Sequence, residues 1–246
     1  VHKEVERLDK ILSNLGYGTR KQVKEIVKKG YVKVDGVVAS DSSIKIDVDK
    51  SKLEVGDNTV DYKKNIYIIM NKPDGVVSAT YDNYDETVID ILDEEYRAFK
   101  PFPVGRLDKD TVGLLFITND GEINHRLISP KWHIDKVYYA EIDKAVDETD
   151  IKAFKDGIVL DDGYKCMPAK LDIVKVDNDG SMVNVTIQEG KFHQVKRMFN
   201  AVGKNVVYLK RVKFGPLKLD ENLREGSYRE LSESELKSVK HILKMN

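Results

Sequence analysis

The sequence predicts an α+β protein in two parts: a small unit of two helices and a hairpin, then a larger domain on a largely antiparallel mixed sheet. Three observations carry this expectation. Apolar residues recur at helical spacing in the first thirty residues. Beta-prone runs of strand length dominate after about residue 65. These runs outnumber the later helical stretches and alternate with them irregularly, which points away from a regular parallel α/β wind. A length of 246 residues suits one large domain or two.

Leu8, Ile11, Leu12 and Leu15 fall on one helical stripe, which Gly16 and Gly18 end. Thr19 starts a second helix, with Gln22 three residues on completing a capping box. Val23, Ile26 and Val27 form its buried face, and Gly30 stands at its C-terminal cap. YVKV and VVA flank Asp35-Gly36, a two-residue hairpin signal. The polar stretch VGDNTVDYKKN (55–65) reads as the junction, so the expected parts are 1–60 and 61–246. Beyond it, YIIMNKP, GVVSA, GLLFIT, KVYYAEI, GIVL, AKLDIVKV and SMVNVTI read as strands. Helical stretches are expected near 86–96, 120–128, 147–156 and 191–202. A last helix starts at Ser232, capped with Glu235, and buries Leu236, Val239, Ile242 and Leu243. No internal repeat or low-complexity tract is present.

Charge is abundant but balanced: 41 Lys+Arg against 42 Asp+Glu, net −1. Any basic surface must therefore be local. Residues 1–33 hold Lys3, Arg7, Lys10, Arg20, Lys21, Lys24, Lys28, Lys29 and Lys33 against Glu4, Glu6, Asp9 and Glu25. Arg20, Lys24 and Lys28, spaced by four, line one helix face, with Lys21 beside them. Two readings fit: a solvated face, or a phosphate-binding one. The single cysteine, Cys166, excludes a disulfide framework and a cysteine-rich zinc site, and suits a reducing compartment. The longest apolar runs, YIIM and LLFI, fall far short of the ~18 residues of a membrane span. No signal-peptide pattern opens the chain, and Val1 implies a removed or trimmed initiator Met. The expectation is a cytoplasmic protein without a membrane partner.

No phosphate loop, dinucleotide fingerprint or GxSxG elbow occurs. His2, His125, His133, His193 and His241 are scattered, with no metal-ligand spacing. Cys166 reads as a lone buried thiol. The distinctive segment is PVGRLDKDTVGLLFITNDGEINHRLISP (103–130). Gly105 and Gly113 bracket a charged turn at the entrance of an apolar strand. Arg106, Asp108, Lys109 and Asp110 there could serve a cleft, Asp108 as an ionised nucleophile, or could form a surface turn with local ion pairs.

GRLDKDTVGLLFITNDG resembles the catalytic signature of pseudouridine synthases. KVY (136–138) and EGKFHQVKRMF (189–199) resemble that superfamily's second and third motifs, in order. RVKFGPLKLDENLREGSYRELSESEL (211–236) is similar to the C-terminal segment of the RsuA-like, small-subunit rRNA branch, and the first sixty residues resemble the alpha-L RNA-binding motif. The resemblance implies that Asp108 is the catalytic aspartate and that Arg106 helps open the RNA stack. It implies that Tyr138 stacks on the flipped uracil and that Lys196 is the basic partner of the aspartate, where relatives in other branches have arginine. Tyr138 has a second reading as a strand-core tyrosine, as has Tyr139; strand alternation sends only one of them to the cleft, and the KxY match favours Tyr138. Arg106 has a second reading, as the ion-pair partner of a neighbouring carboxylate. Lys196 has a second reading too, in a KxxxxKR run (191–197) that forms a phosphate-contacting face, for which Lys191 and Arg197 are the better candidates. Leu107, Leu114 and neighbours are expected to wall the cleft against water.

The implied reaction is isomerisation of one uridine in small-subunit (16S) rRNA, by base flipping and without a cofactor or metal. The partner is that RNA or an assembling small-subunit particle, bound by a monomer. Two alternatives stand beside it: a large-subunit rRNA target, and a non-catalytic rRNA-binding assembly factor.

Overall fold

The computed structural model describes residues 5–48, 50–60 and 62–245. His2, Lys3, Glu4 and the expected boundary residue Asp61 lie outside the described residues. The described residues form two compact units, one up to residue 64 and one over residues 65–245.

In the first unit, β1 (Val5–Arg7) leads into α1 (Leu8–Asn14), and α2 (Arg20–Lys28) follows. The capping box at the start of α2 is formed: the Gln22 amide donates to Thr19 Oγ1 and Gln22 Oε1 accepts from the Thr19 amide. The two helices bury Leu8, Ile11, Leu12, Val23 and Val27 against Val32, Ile46 and Leu53. β2 (Val32–Val34) and β3 (Val37–Val38) make the hairpin at Asp35-Gly36, and β4 (Lys45–Asp47) pairs with β1. β5 (Leu53–Val55) and β6 (Asn58–Val60) complete a four-stranded sheet in the order β3-β2-β5-β6. Part of the polar stretch read as a junction is therefore strand. Gly56-Asp57 is a two-residue hairpin turn, and its polarity masks the short strand beyond it.

The second unit is a nine-stranded sheet. Its strands are β7 (Tyr67–Lys72), β8 (Phe102–Val104), β9 (Val112–Thr118), β10 (Lys136–Ile142), β11 (Lys170–Asp177), β12 (Gly180–Ile187), β13 (Val206–Phe214), β14 (Leu217–Lys218) and β15 (Tyr228–Glu230). The main order is β11-β12-β10-β13-β9-β7-β15, and every pair is antiparallel except β13 with β9. β9 is buried along its whole length because both of its faces are covered. Leu115 and Ile117 join the core on one side; Leu114 and Phe116 join the core on the other.

Helices α3 (Glu94–Arg97), α4 (Gly121–Ile128), α5 (Glu148–Asp156), α6 (Gln194–Ala201) and α7 (Glu233–Ile242) pack around this sheet. Four expectations differ. GVVSA and GIVL make only isolated bridges, Val77 to Thr87 and Val159 to Lys165. Ser78 spends its hydroxyl on Leu107, donating to the carbonyl and accepting from the amide, and so anchors a loop. The expected helix at 86–96 shrinks to one turn, because Asp90 binds the Thr87 amide and hydroxyl in a non-helical turn. The helix expected from 191 begins at Gln194, since His193 has a left-handed backbone, φ 47°. β13 is a strand that sequence patterning does not flag: its cations, Lys210, Arg211 and Lys213, hide the alternation.

α7 carries the expected capping box, Ser232 with Glu235, and lays Val239 and Leu243 on the second core. The Arg229 guanidinium donates both Nη atoms to Glu235 at 2.8 Å. This bidentate pair, with the Ser232 amide, pulls the Glu235 carboxyl down to about 2 from an ordinary 4.5, against the upward push of burial. A lowered carboxyl stabilises the fold fully above pH 4.5 and loses that contribution as pH falls toward 2. Glu235→Gln should therefore cost about 1 kcal/mol near neutrality, solvent screening included, with the difference vanishing at the acid end. Urea unfolding of both proteins across that range measures it; a pH-independent difference would contradict the ion-pair account.

Candidate active site

The loop between β8 and β9 is pressed onto β13. At Gly105, φ +64°, an added Cβ would stand 2.9 Å from the Phe214 ring. At Gly113, φ +100°, it would stand 2.4 Å from the Arg211 carbonyl oxygen. Both positions demand glycine, for backbone conformation and for space. Between them, the buried Lys72 ammonium donates to the carbonyls of Pro73, Lys109 and Thr111, each at 3.0 Å. Burial pushes its pKa down to about 8. Ser78 holds Leu107 on one side of Asp108, and Lys109 Nζ pairs with Asp85 at 2.6 Å on the other.

Asp108 so held lines a narrow cleft of about 70 Å³ with Arg106, Leu107, Tyr138, Ile187, His193, Val195 and Leu209 among its neighbours. Its side chain is 28% exposed. Two nitrogens approach the carboxylate: His193 Nε2 at 3.6 Å from Oδ1, and Lys196 Nζ at 3.6 Å from Oδ2. Lys196 makes its shorter contact, 2.5 Å, with Asp110 Oδ1, and this bond holds the Asp110 carboxyl below its usual value. The ammonium is thus shared between two carboxylates.

Alternation along β10 turns Tyr138 into the cleft, 8% exposed, and Tyr139 toward the opposite sheet face. Arg211 is the cross-strand neighbour of Tyr138 and is 1% exposed. Its Nε donates to the Leu114 carbonyl at 2.8 Å, its guanidinium lies 4.8 Å from the Phe214 ring centroid, and Nη2 has no hydrogen-bond partner. Burial pushes its pKa down; the Tyr138 hydroxyl acts against that shift. Lys136, also buried, donates to the Ile134 carbonyl at 3.0 Å and lies 5.4 Å from the same ring. Burial brings its pKa to about 8.

Leu114 belongs to the other core, behind the sheet, so the expectation that it walls the cleft is corrected. The apolar walls are Leu107, Ile187, Val195 and Leu209. The correction follows from period two: of adjacent strand residues only one can face the cleft side. Arg106 is exposed at the rim, with no hydrogen bond or ion pair among the described residues. Lys191 also lines the cleft, its ammonium 4.4 Å from the Tyr164 ring centroid. Arg197 faces away from Asp108 in bonding terms: it is tied to Asp161 and, at 2.7 Å, to Asp162. In the first unit, Arg20, Lys21, Lys24 and Lys28 are all exposed on α2, and Lys28 lies 3.7 Å from Glu25.

Two residues that sequence reasoning passed over matter here. His193 looked scattered, yet it reaches Asp108; the signal was its place one residue before the Gln194 that opens α6. Glu189 is buried and accepts from the Tyr164 hydroxyl at 2.7 Å, the Met167 amide at 2.8 Å and Gln194 Nε2 at 2.8 Å. It fixes the turn that delivers His193 and Lys196. The whole arrangement sets a carboxylate between an imidazole and an ammonium, in a slot that also holds an aromatic ring and is lined by polar and apolar groups alike.

Residues 66–201 match the RNA pseudouridylate synthase family, and residues 6–50 match the S4 domain. The chain is 49% identical over 230 residues to an uncharacterized RNA pseudouridine synthase of Bacillus subtilis, YtzG, covering 94% of this chain and 96% of that one. It is 38% identical to the ribosomal small subunit pseudouridine synthase A of Vibrio cholerae, covering 95% and 99%. It is 35% identical to the ribosomal large subunit pseudouridine synthase B of Bacillus subtilis, covering 97% of each. A crystal structure of a pseudouridylate synthase superposes with a TM-score of 0.66 at 38% identity, covering 95% of this chain and 99% of that one. The glycine-bracketed aspartate loop lies within the span that matches the synthase family, and the chain belongs to the RNA pseudouridine synthases, with an S4 domain ahead of the catalytic one.

Proposed function

We propose that this protein isomerises a uridine of small-subunit ribosomal RNA to pseudouridine, with Asp108 as the reacting carboxylate. One observation carries the reading: Asp108 faces Tyr138 in one cleft, with His193 and Lys196 each 3.6 Å from its oxygens. The N1–C1′ bond of the nucleoside breaks, the freed base rotates, and a C5–C1′ bond forms; the C5 hydrogen leaves as a proton and N1 takes one up. Asp108 can add to the ribose or the ring, or remove a sugar proton, and each route needs it ionised. Lys196 Nζ lies 3.6 Å from one of its oxygens. The target must leave its stack to reach the cleft. Stacking on Tyr138 offsets part of the unstacking cost, and Arg106, free at the rim, can occupy the space left behind.

The small-subunit choice rests on the HQVKRMF and GSYREL blocks and on the small-subunit relatives at 38% identity. The large-subunit reading has its own support in the relative at 35%. Tritium release from 16S and 23S transcripts labelled at uridine C5, followed by mapping of the modified nucleotide, decides between them. Release from the 23S transcript alone would overturn the small-subunit target.

The first unit contributes phosphate contacts through the α2 face in this reading. Asp108→Asn should bind RNA as the parent does while turnover falls by about 10⁴-fold or more. Isomerisation by that variant at a measurable fraction of the parent rate would remove Asp108 from the reacting role. Replacing Arg20, Lys24 and Lys28 together by Gln should weaken RNA binding and reduce the slope of log affinity against log salt by about 2–3. An unchanged slope would make that face a solvated one.

A further inference from the structure

Phe192 presents a large apolar ring to solvent, 75% exposed. It does not stand alone: its ring stacks on His193 with centroids 3.7 Å apart and planes 18° from parallel. His193 in turn lines the cleft and reaches Asp108. The pair is built rather than loose. His193 has a left-handed backbone that a non-glycine residue rarely adopts, φ 47°. That turn is braced on both sides. The Lys191 amide donates to Gln194 Oε1 at 2.9 Å, and Gln194 Nε2 donates to the buried Glu189. The His193 ring thus meets Asp108 at its Nε2 edge and carries the largely exposed Phe192 ring on one face.

We infer that the Phe192–His193 pair is a stacking subsite for the nucleobase adjacent to the target uridine. This rests on the reading of the cleft as the site of uridine isomerisation. When one base leaves a stack, its neighbour loses a face to water. A flat, exposed ring starting at the cleft lip restores that face, and does so for any base, since every base has a π-surface. Two cations, Lys191 and Arg106, line the cleft together with His193 and suit the phosphates on either side of the target nucleotide. The subsite thus takes a purine or pyrimidine of the substrate RNA, one nucleotide from the reacting one.

The test compares Phe192→Ala, Phe192→Leu and Phe192→Trp in steady-state isomerisation of the RNA substrate. Stacking predicts that Ala and Leu raise KM by about tenfold with kcat within about twofold, and that Trp restores KM. Thermal unfolding of the three variants should match the parent, because the ring is exposed. A KM unchanged by Ala, a KM restored by Leu, or a loss confined to kcat would each overturn the subsite. A second measurement is independent of turnover: a stem-loop RNA carrying 2-aminopurine beside a single loop uridine, bound to Asp108→Asn. Fluorescence quenching that disappears when Phe192→Ala is added supports stacking even if the parent proves inactive on rRNA. Equal fluorescence in the presence and absence of the Phe192 ring overturns it.

Discussion

A buried ammonium holds the loop that carries Asp108. Lys72 leaves the end of β7 and spends its three protons on three carbonyl oxygens, two of them in the segment 109–111. Taking a cation out of water is costly unless each donor is matched, and here all three are. The match also dictates geometry. Carbonyls at 109 and 111 can converge on one point only if the chain turns tightly between Asp108 and Thr111, which the Thr111 amide bond to the Asp108 carbonyl records. The loop therefore cannot relax outward without stranding a buried charge, a far heavier penalty than a lost surface contact. Gly105 and Gly113 let the same loop lie against Phe214 and the β13 backbone.

Much of this was legible beforehand, and the reasons are local. The capping boxes at Thr19 and Ser232 and the Asp35-Gly36 hairpin are read from a few adjacent residues, and they form as read. The alternation in KVYYAEI separates Tyr138 from Tyr139 because a period of two survives any tertiary context. β13 was opaque for the opposite reason. Its Arg211 is a charged side chain in an interior position, so the pattern of polarity contradicts the pattern of burial. Glu189 and His193 were opaque because their roles depend on partners distant in sequence, Tyr164 for one and Asp108 for the other. The order of blocks along the chain points to Asp108 and Tyr138, which line one cleft, whereas the contacts that brace them join residues distant in sequence.

Lys196 illustrates the difference between a residue and its arrangement. A guanidinium at this place could engage one carboxylate through two parallel bonds. An ammonium is a point charge with three separate donors, and here it lies between Asp108 and Asp110, closer to the second. His193 takes up the other oxygen of Asp108. Two single-point neighbours thus stand where one forked neighbour would serve, and the carboxylate keeps lone pairs free to face the cleft.

The buried cations around the cleft share a further property. Lys72, Lys136 and Arg211 are bound to carbonyls and an aromatic face, and none forms an ion pair among the described residues. A carboxylate partner would cancel the charge at a distance. Neutral dipoles satisfy the three donors of Lys72 and some of those of Lys136 and Arg211, whose Nη2 stays unpartnered, and they leave the net positive charge in place, in surroundings where water screens it poorly. Burial lowers the pKa of all three, to about 8 for the two lysines, which is the electrostatic cost of keeping that charge uncancelled. Its consequence reaches the cleft by two paths: Lys72 acts on Asp108 and Asp110, and Arg211 on the Tyr138 hydroxyl. For the proposed reaction, in which negative charge appears on the base as the glycosidic bond opens, a fixed positive field needs no rearrangement at the moment of bond breaking. The protein as a whole is nearly neutral, so this field comes from where a few cations are buried and not from their number.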